Sequence, residues 1–160
     1  MQQTPPATQA RPPVATKQDI SQVVAEAVVA QLFEALAYAK MQLALRAYRK
    51  KFVLNPESQD SAPDSIITYA APPSSFVYLK SSNAAAPGAV LLRCQLVAAP
   101  ARLTKNIHLG MSRAALGRLL GQPFSATVLL ISETEGYQKF YFTFQKDSLQ
   151  AVAFESDYLD

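Results

Sequence analysis

His108 is the only histidine of the 160-residue chain, and it stands two residues before Gly110 in a stretch typical of a loop. Nucleophilic catalysis needs a serine or cysteine beside a positioned base. The sequence has neither a Gly-x-Ser-x-Gly elbow nor a phosphate-binding Gly-x-x-x-x-Gly-Lys loop. One histidine and one cysteine are also too few for a zinc site. We therefore expect a protein that is not an enzyme and that uses no metal or cofactor.

Two acidic clusters are the other candidates for chemistry. They consist of Glu133 and Glu135 beside a predicted hairpin turn, and of Glu155, Asp157 and Asp160 near the C-terminus. Glu155 and Asp157 would share one face of a continued strand and could bind calcium weakly. Catalytic acids need burial or a close like charge to tune their pKa, and the sequence indicates neither. A polar turn and an acidic tail explain both clusters more simply.

The single thiol, Cys94, lies in the apolar run of residues 91–97, which is typical of a strand. With only one cysteine, no internal disulfide can form. We expect Cys94 to be a small apolar core residue. A reactive thiolate would need nearby cations, and Arg93 alone supplies one. One buried thiol is compatible with a reducing or an oxidising compartment.

The positive charge is concentrated in the first third of the chain. Residues 1–55 hold seven Lys and Arg against three Asp and Glu, whereas residues 56–160 hold eight against nine. The basic cluster consists of Arg46, Arg49, Lys50 and Lys51. Cations at a helix end are favoured by the helix dipole without any partner, and phosphate or anionic lipid is the alternative use. The C-terminal part has no basic face, so no nucleic-acid partner is expected.

Composition divides the N-terminal third into a tether and a helix. Residues 1–17 are rich in Pro, Gln and Thr, which predicts a disordered tether. Residues 18–54 contain neither Gly nor Pro, and Asp19 is a plausible N-cap, which predicts one long helix. A break near residues 35–38, giving a helical hairpin, is the alternative. Charges within this segment argue against a membrane span.

The predicted helix has apolar residues on two opposite sides. A helix of this kind must bury both sides, so we expect it to bind a protein partner or a second copy of the chain. The residues predicted to form this contact are Leu32, Leu36, Leu43, Tyr38 and Met41.

Residues 66–160 have the pattern of an α+β domain. After a polar loop over residues 55–65, strands are predicted within 66–79 and 89–97. A short helix follows, with Ser112 as its N-cap and Gly121 at its end. Three strands at 127–132, 137–144 and 149–154 then form a meander. The predicted fold class is α+β, with a long N-terminal helix, then a mainly antiparallel sheet with one short helix packed on it.

Residues 107–123 have the form Ile-x-Leu-Gly-Met-Ser, a short helical run, and Leu-Leu-Gly-x-Pro, and strands follow. This pattern resembles the small SmpA/OmlA-type modules of bacterial envelopes, including BamE-like lipoproteins, and related repeats of β-lactamase-inhibitor-like proteins. The resemblance covers residues 107–158 and implies a compact non-catalytic scaffold for protein partners. Two features depart from the pattern: strand-like residues 66–97 precede a single helix, and the N-terminus has no cysteine for lipid attachment.

These observations favour a non-catalytic protein-binding or scaffold module of the bacterial envelope. We expect it to be periplasmic or secreted, with its signal peptide absent from this chain, while a cytoplasmic location stays open. The alternative hypothesis is a cytosolic regulatory protein that binds anionic surfaces through the basic end of the helix.

Overall fold

The computed structural model describes residues 19–55, 63–82, 88–97 and 103–157. The elements are β1 (Ile20–Val24), α1 (Glu26–Ala35), α2 (Tyr38–Leu45), β2 (Arg49–Leu54), β3 (Ser65–Ala71), β4 (Ser74–Lys80), β5 (Ala89–Leu96), α3 (Arg113–Leu120), β6 (Val128–Ser132), β7 (Gln138–Gln145) and β8 (Ser148–Ser156). The predicted tether of residues 1–17 lies outside these ranges.

The strands form one eight-stranded mixed sheet in the order β1-β6-β7-β8-β5-β4-β3-β2. β1 is parallel to β6, and all the other pairs are antiparallel. Antiparallel neighbours can be joined by short turns, as β3–β4 and β7–β8 are, whereas the parallel pair brings together segments more than a hundred residues apart. The two edges of the sheet are therefore formed by the strands that flank the N-terminal helices.

Side chains alternate between a buried face and an open face of this sheet. On the buried face, one row of cross-strand neighbours consists of Val23, Ile131, Phe140, Phe154, Cys94, Phe76, Tyr69 and Lys50. Its first seven members are at most 9 % exposed, and only the last, on edge strand β2, reaches solvent. The adjacent row on the open face consists of Val24, Ser132, Lys139, Glu155, Arg93, Val77, Thr68 and Lys51. Ser132 is the buried member of this row, with 1 % of its surface exposed. Cys94 is thus a core residue, as predicted.

Helices α1 and α2 cover the buried face. The Phe33 ring of α1 packs on Phe154 with ring centroids 5.7 Å apart. The Tyr38 ring of α2 packs against Tyr78 at 5.1 Å. The Tyr78 hydroxyl also donates a hydrogen bond of 2.8 Å to the main-chain oxygen of Leu36, between the two helices. The buried residues of both helices belong to the same core as the sheet.

The prediction of one long helix over residues 18–54 is wrong. The segment contains β1, two short helices and β2, and the helices bend by 46° at Leu36 and Ala37. The break falls within the range of the hairpin alternative, but the helices do not fold back on each other. Ala37 has an extended backbone (φ −57°, ψ 143°), although neither Gly nor Pro interrupts the segment. Packing on the sheet has therefore overridden a favourable helix propensity.

The bend explains the two apolar sides of the predicted helix, of which the first stripe contains Leu32, Leu36 and Leu43 and the second contains Met41 and Leu45. α1 and its C-cap bury Leu32 and Leu36 from the first stripe, and α2 buries Met41 and Leu45 from the second. Each helix presents one stripe to the same sheet, so neither stripe needs a partner molecule. Leu43 belongs to the first stripe but lies in α2, and it is 75 % exposed.

The segments that become β1 and β2 were predicted as helix ends, which is a further correction. Asp19 is not an N-cap, because its main-chain oxygen accepts a hydrogen bond from Val128 N (3.0 Å) at the start of the β1–β6 pair. β2 pairs with β3 over its full length. Both segments contain β-branched or aromatic residues, which suit a pleated surface when a neighbouring strand is available.

Helix α3 agrees with its sequence signals. Ser112 Oγ accepts a hydrogen bond from Ala115 N at 3.0 Å, and Gly121 has the left-handed conformation (φ 74°) that ends the helix. Gly117 lies inside the helix, close to the main chain that follows it. The Gln122 main-chain oxygen is 3.0 Å from the position that a Cβ would occupy.

Candidate protein-binding edge

The side chains that could do chemistry are separated and serve the fold. Glu133 accepts main-chain hydrogen bonds from Gly136 (3.2 Å) and Gln138 (3.0 Å), which holds the β6–β7 turn. Asp157 pairs with Lys139 at 2.8 Å, and this hydrogen bond raises the pKa of the lysine. Burial raises the pKa of Cys94 to about 12. In the described ranges, no three His, Cys, Asp or Glu side chains come together as metal ligands.

His108 and the second acidic cluster offer no assembled site either. His108 is exposed in the segment before α3, whereas the nearby Ile107 and Met111 are buried. Glu155 lies on the open face between Arg93 and Lys139 as cross-strand neighbours. Opposite charges in such positions stabilise strand pairing. Asp160 lies outside the described residues.

Most of the residues predicted to contact a partner lie inside the protein. Leu32, Leu36 and Met41 are at most 6 % exposed. The Tyr38 hydroxyl shares a hydrogen bond of 3.1 Å with the Tyr69 hydroxyl. These four residues join the helices to the sheet, which leaves Leu43 as the exposed member of the predicted set.

The tyrosine pair also shows how closely α2 is held to β3. The hydrogen bond between the Tyr38 and Tyr69 hydroxyls is the main cause that lowers the pKa of Tyr38. Burial, with the same hydrogen bond, raises the pKa of Tyr69 to about 12. The first residue of α2 is therefore fixed to β3 by this hydrogen bond.

The structure places the basic cluster mainly on a strand. Arg46 follows α2, while Arg49, Lys50 and Lys51 are the first three residues of β2. Because side chains alternate along a strand, Arg49 and Lys51 lie on the open face and Lys50 lies on the helix side. Arg49, Lys50 and Lys51 therefore do not lie at a helix end, whereas Arg46, the C-cap of α2, is placed to complement the helix dipole.

β2 is an edge strand whose second side has no strand partner in the described part of the chain. Asn55 N donates to Asp64 O at 2.7 Å, and this pair continues the β2–β3 register. Since closely hydrogen-bonded pairs alternate along an antiparallel ladder, Arg49, Lys51 and Val53 also direct their main-chain groups to β3. The main-chain groups of the alternate residues, which are Lys50, Phe52 and Leu54, therefore point away from the sheet.

Three apolar residues complete this edge and are exposed. Phe52, Val53 and Leu54 have 56 %, 46 % and 55 % of their surface accessible. Phe52 continues a cross-strand row whose next member, Ile67, is only 2 % exposed. The helices therefore cover Ile67 but leave Phe52, its neighbour in the same cross-strand row, exposed to solvent. An exposed apolar edge of this kind is typical of an interaction site or an aggregation site.

A groove of about 710 Å³ lies beside α3, lined by residues that include Arg113, Arg118, Phe124 and Asp147. The Arg113 guanidinium stacks over the Phe144 ring at 5.3 Å and pairs with the Asp147 carboxylate. Its Nε is buried without a hydrogen-bond partner. Arg113 is therefore engaged within the fold, where it connects α3 with β7 and the β7–β8 turn.

The β2 edge was missed by the sequence analysis because the absence of Gly and Pro favoured a continuous helix. A signal was present: Phe52-Val53-Leu54 combines aromatic and β-branched residues immediately before Asn55-Pro56. Such a run before a turn is typical of a strand.

No single helix in the described ranges is long and apolar enough to span a membrane, although the bent pair α1–α2 meets the length and composition test when taken together. Comparisons of this chain with protein-family models, curated proteins and solved structures found no match.

Proposed function

We propose that this protein is a non-catalytic protein-binding module that accepts a partner strand along β2. The observation that carries this proposal is the combination of outward main-chain groups at Lys50, Phe52 and Leu54 with the exposure of Phe52, Val53 and Leu54. A strand added to a sheet edge gains affinity from main-chain hydrogen bonds and specificity from alternate side chains. β2 offers both.

The distribution of charge supports a strand as the partner rather than a flat anionic surface. Lys50 lies on one face of the sheet, and Arg49 and Lys51 lie on the other. A phosphate-rich or lipid surface would contact only one face of the sheet at a time. A strand paired with β2 places its side chains beside the cations on both faces. The apolar second half of β2 also favours a partner with an apolar segment.

The envelope location belongs to this proposal as an expectation. It rests on the resemblance of residues 107–158 to SmpA/OmlA-type modules, which implies a scaffold for protein partners outside the cytoplasm. The binding mode rests on β2 alone and applies in any compartment.

A phage-displayed library of linear random peptides, selected on the full chain, tests the binding mode. Two variants of Lys50 provide the comparison. Lys50→Pro removes an outward N–H without removing a β2–β3 hydrogen bond, and proline is tolerated on edge strands in this orientation. Lys50→Ala removes the same charge but keeps the N–H.

We expect selected peptides to alternate apolar residues and to bind the Lys50→Ala variant but not the Lys50→Pro variant. Circular dichroism and thermal unfolding establish that both variants are folded. Peptides that bind the proline variant as well as the wild type would contradict strand addition at β2.

A further inference from the structure

We infer that the strand received by β2 is β2 of a second copy of this chain, so that two sheets join as a symmetric dimer. This inference rests on the proposed function, because it names the partner of the same edge. It follows from the order of residues in β2, where three cations are followed by three apolar residues.

A two-fold axis perpendicular to a sheet places one residue of the edge strand opposite its own copy. With Phe52 at the axis, Lys50 faces Leu54 of the second copy, and Leu54 faces Lys50. These are the residues whose main-chain groups point outward. Each closely spaced antiparallel pair exchanges two hydrogen bonds, so the three pairs supply about six hydrogen bonds and use every outward group of β2.

The charges of β2 select this register. Lys51 faces Val53 of the second copy and Arg49 faces Asn55, so no cation lies opposite another. An axis one residue earlier would place Lys51 opposite Lys51, which is destabilising. An axis one residue later would leave Lys50 beyond the paired residues. Cations on an edge oppose indiscriminate strand pairing, and their position in the first half of β2 leaves this arrangement open.

The same register buries the apolar residues that the monomer exposes. Phe52 meets its copy on the helix side, next to Ile67 of each chain. The aliphatic part of Lys50 covers Leu54, as long cationic side chains do while their charge stays in water. The row that runs out of the core at Phe52, which is 56 % exposed in the monomer, thereby continues into the second chain.

Sedimentation of the full chain over a range of concentrations is the first experiment. Phe52→Arg places two cations opposite each other at the axis and removes two apolar side chains, so we expect the dimer dissociation constant to rise by roughly a hundredfold. Val90→Arg is the matched control, because Val90 is 54 % exposed but lies in β5, away from the edge. The control should leave the dimer intact.

Cysteine cross-linking tests the register. In an antiparallel hydrogen-bonded pair the Cα atoms are about 5.5 Å apart, which lies within the range of about 4.4–6.8 Å for disulfides. With oxidised glutathione, Phe52→Cys should therefore yield a covalent dimer. Lys51→Cys should not, since its copy lies diagonally at about 7–8 Å. The native Cys94 is buried and serves as the internal control.

The outcomes separate this inference from the proposed function. A wild-type monomer at all concentrations overturns the dimer, while peptides that require the Lys50 N–H would still support strand addition. A dimer that survives Phe52→Arg, or that cross-links through Lys51→Cys, overturns the inferred interface. Dissociation by Phe52→Arg, together with cross-linking at residue 52 alone, supports it.

Discussion

The hydrogen bond between Tyr78 and the helix break gives the sharpest test of the fold. Tyr78 is fully buried, and its hydroxyl donates to the Leu36 main-chain oxygen at 2.8 Å. Leu36 is the residue at which α1 ends, where helical carbonyl groups lose their partners within the helix. Tyr78→Phe keeps the ring and its contacts but leaves this buried oxygen without its donor.

We expect Tyr78→Phe to lower the free energy of unfolding by about 1–3 kcal/mol, the usual effect of leaving a buried acceptor unsatisfied. Tyr69→Phe is the matched control. It removes a hydroxyl whose bond to Tyr38 is 3.1 Å long and only partly buried, so water can replace the partner and the expected loss is about 0.5 kcal/mol.

Urea denaturation followed by circular dichroism measures the free energy of unfolding of both variants. The slope of this free energy against urea concentration should be the same for each.

The pH dependence of stability provides a second readout. Burial raises the pKa of Tyr78 above the usual value of 10, so its neutral form stabilises the fold fully below pH 10 and the contribution is lost above it. Tyr78→Phe should therefore reduce the alkaline loss of stability. A free energy of unfolding for Tyr78→Phe within about 0.5 kcal/mol of the wild-type value would refute the reasoning. A larger loss of stability for Tyr69→Phe than for Tyr78→Phe would also refute it.

Three further substitutions test the helices and the core. Leu36→Ala should lower the free energy of unfolding by about 2–5 kcal/mol because the Leu36 side chain is 1 % exposed. Leu43→Ala, at a side chain that is 75 % exposed, should change it by no more than about 0.5 kcal/mol. Equal changes in urea denaturation would contradict the bent arrangement of α1 and α2. Ser112→Ala should destabilise the protein by about 0.5–2 kcal/mol through loss of the cap to Ala115 N, and Ser112→Thr, which keeps the oxygen, should recover most of it. Cys94 should react with DTNB slowly in the native protein and fully in urea, since burial raises its pKa to about 12, and fast labelling of the native protein would contradict this burial. The neutral thiol stabilises the fold below pH 9, and this contribution should be lost as the pH rises towards 12. Cys94→Ala should remove this alkaline loss of stability.

Local signals in the sequence determined the C-terminal part of the molecule. Helix α3 needs only Ser112, Gly121 and the intervening apolar residues, because caps act on main-chain groups within one turn. The strands β6, β7 and β8 follow each other through short turns, so their pairing requires little loop closure. The phenylalanines of β7 alternate in sequence and are buried on one face. The sequence also located Cys94 in the core.

Tertiary structure alone decided the segment of residues 19–55. Its composition favours a helix throughout, yet β1 exists because β6 offers a parallel neighbour more than a hundred residues away, and β2 exists because β3 does. Such pairings are not encoded in any local window of sequence. The two apolar stripes were visible, but an unbroken helix and a bent pair of helices share the same stripes. The carbonyl that Tyr78 satisfies at Leu36 shows how contact with the sheet stabilises the break, and with it the exposed edge at β2.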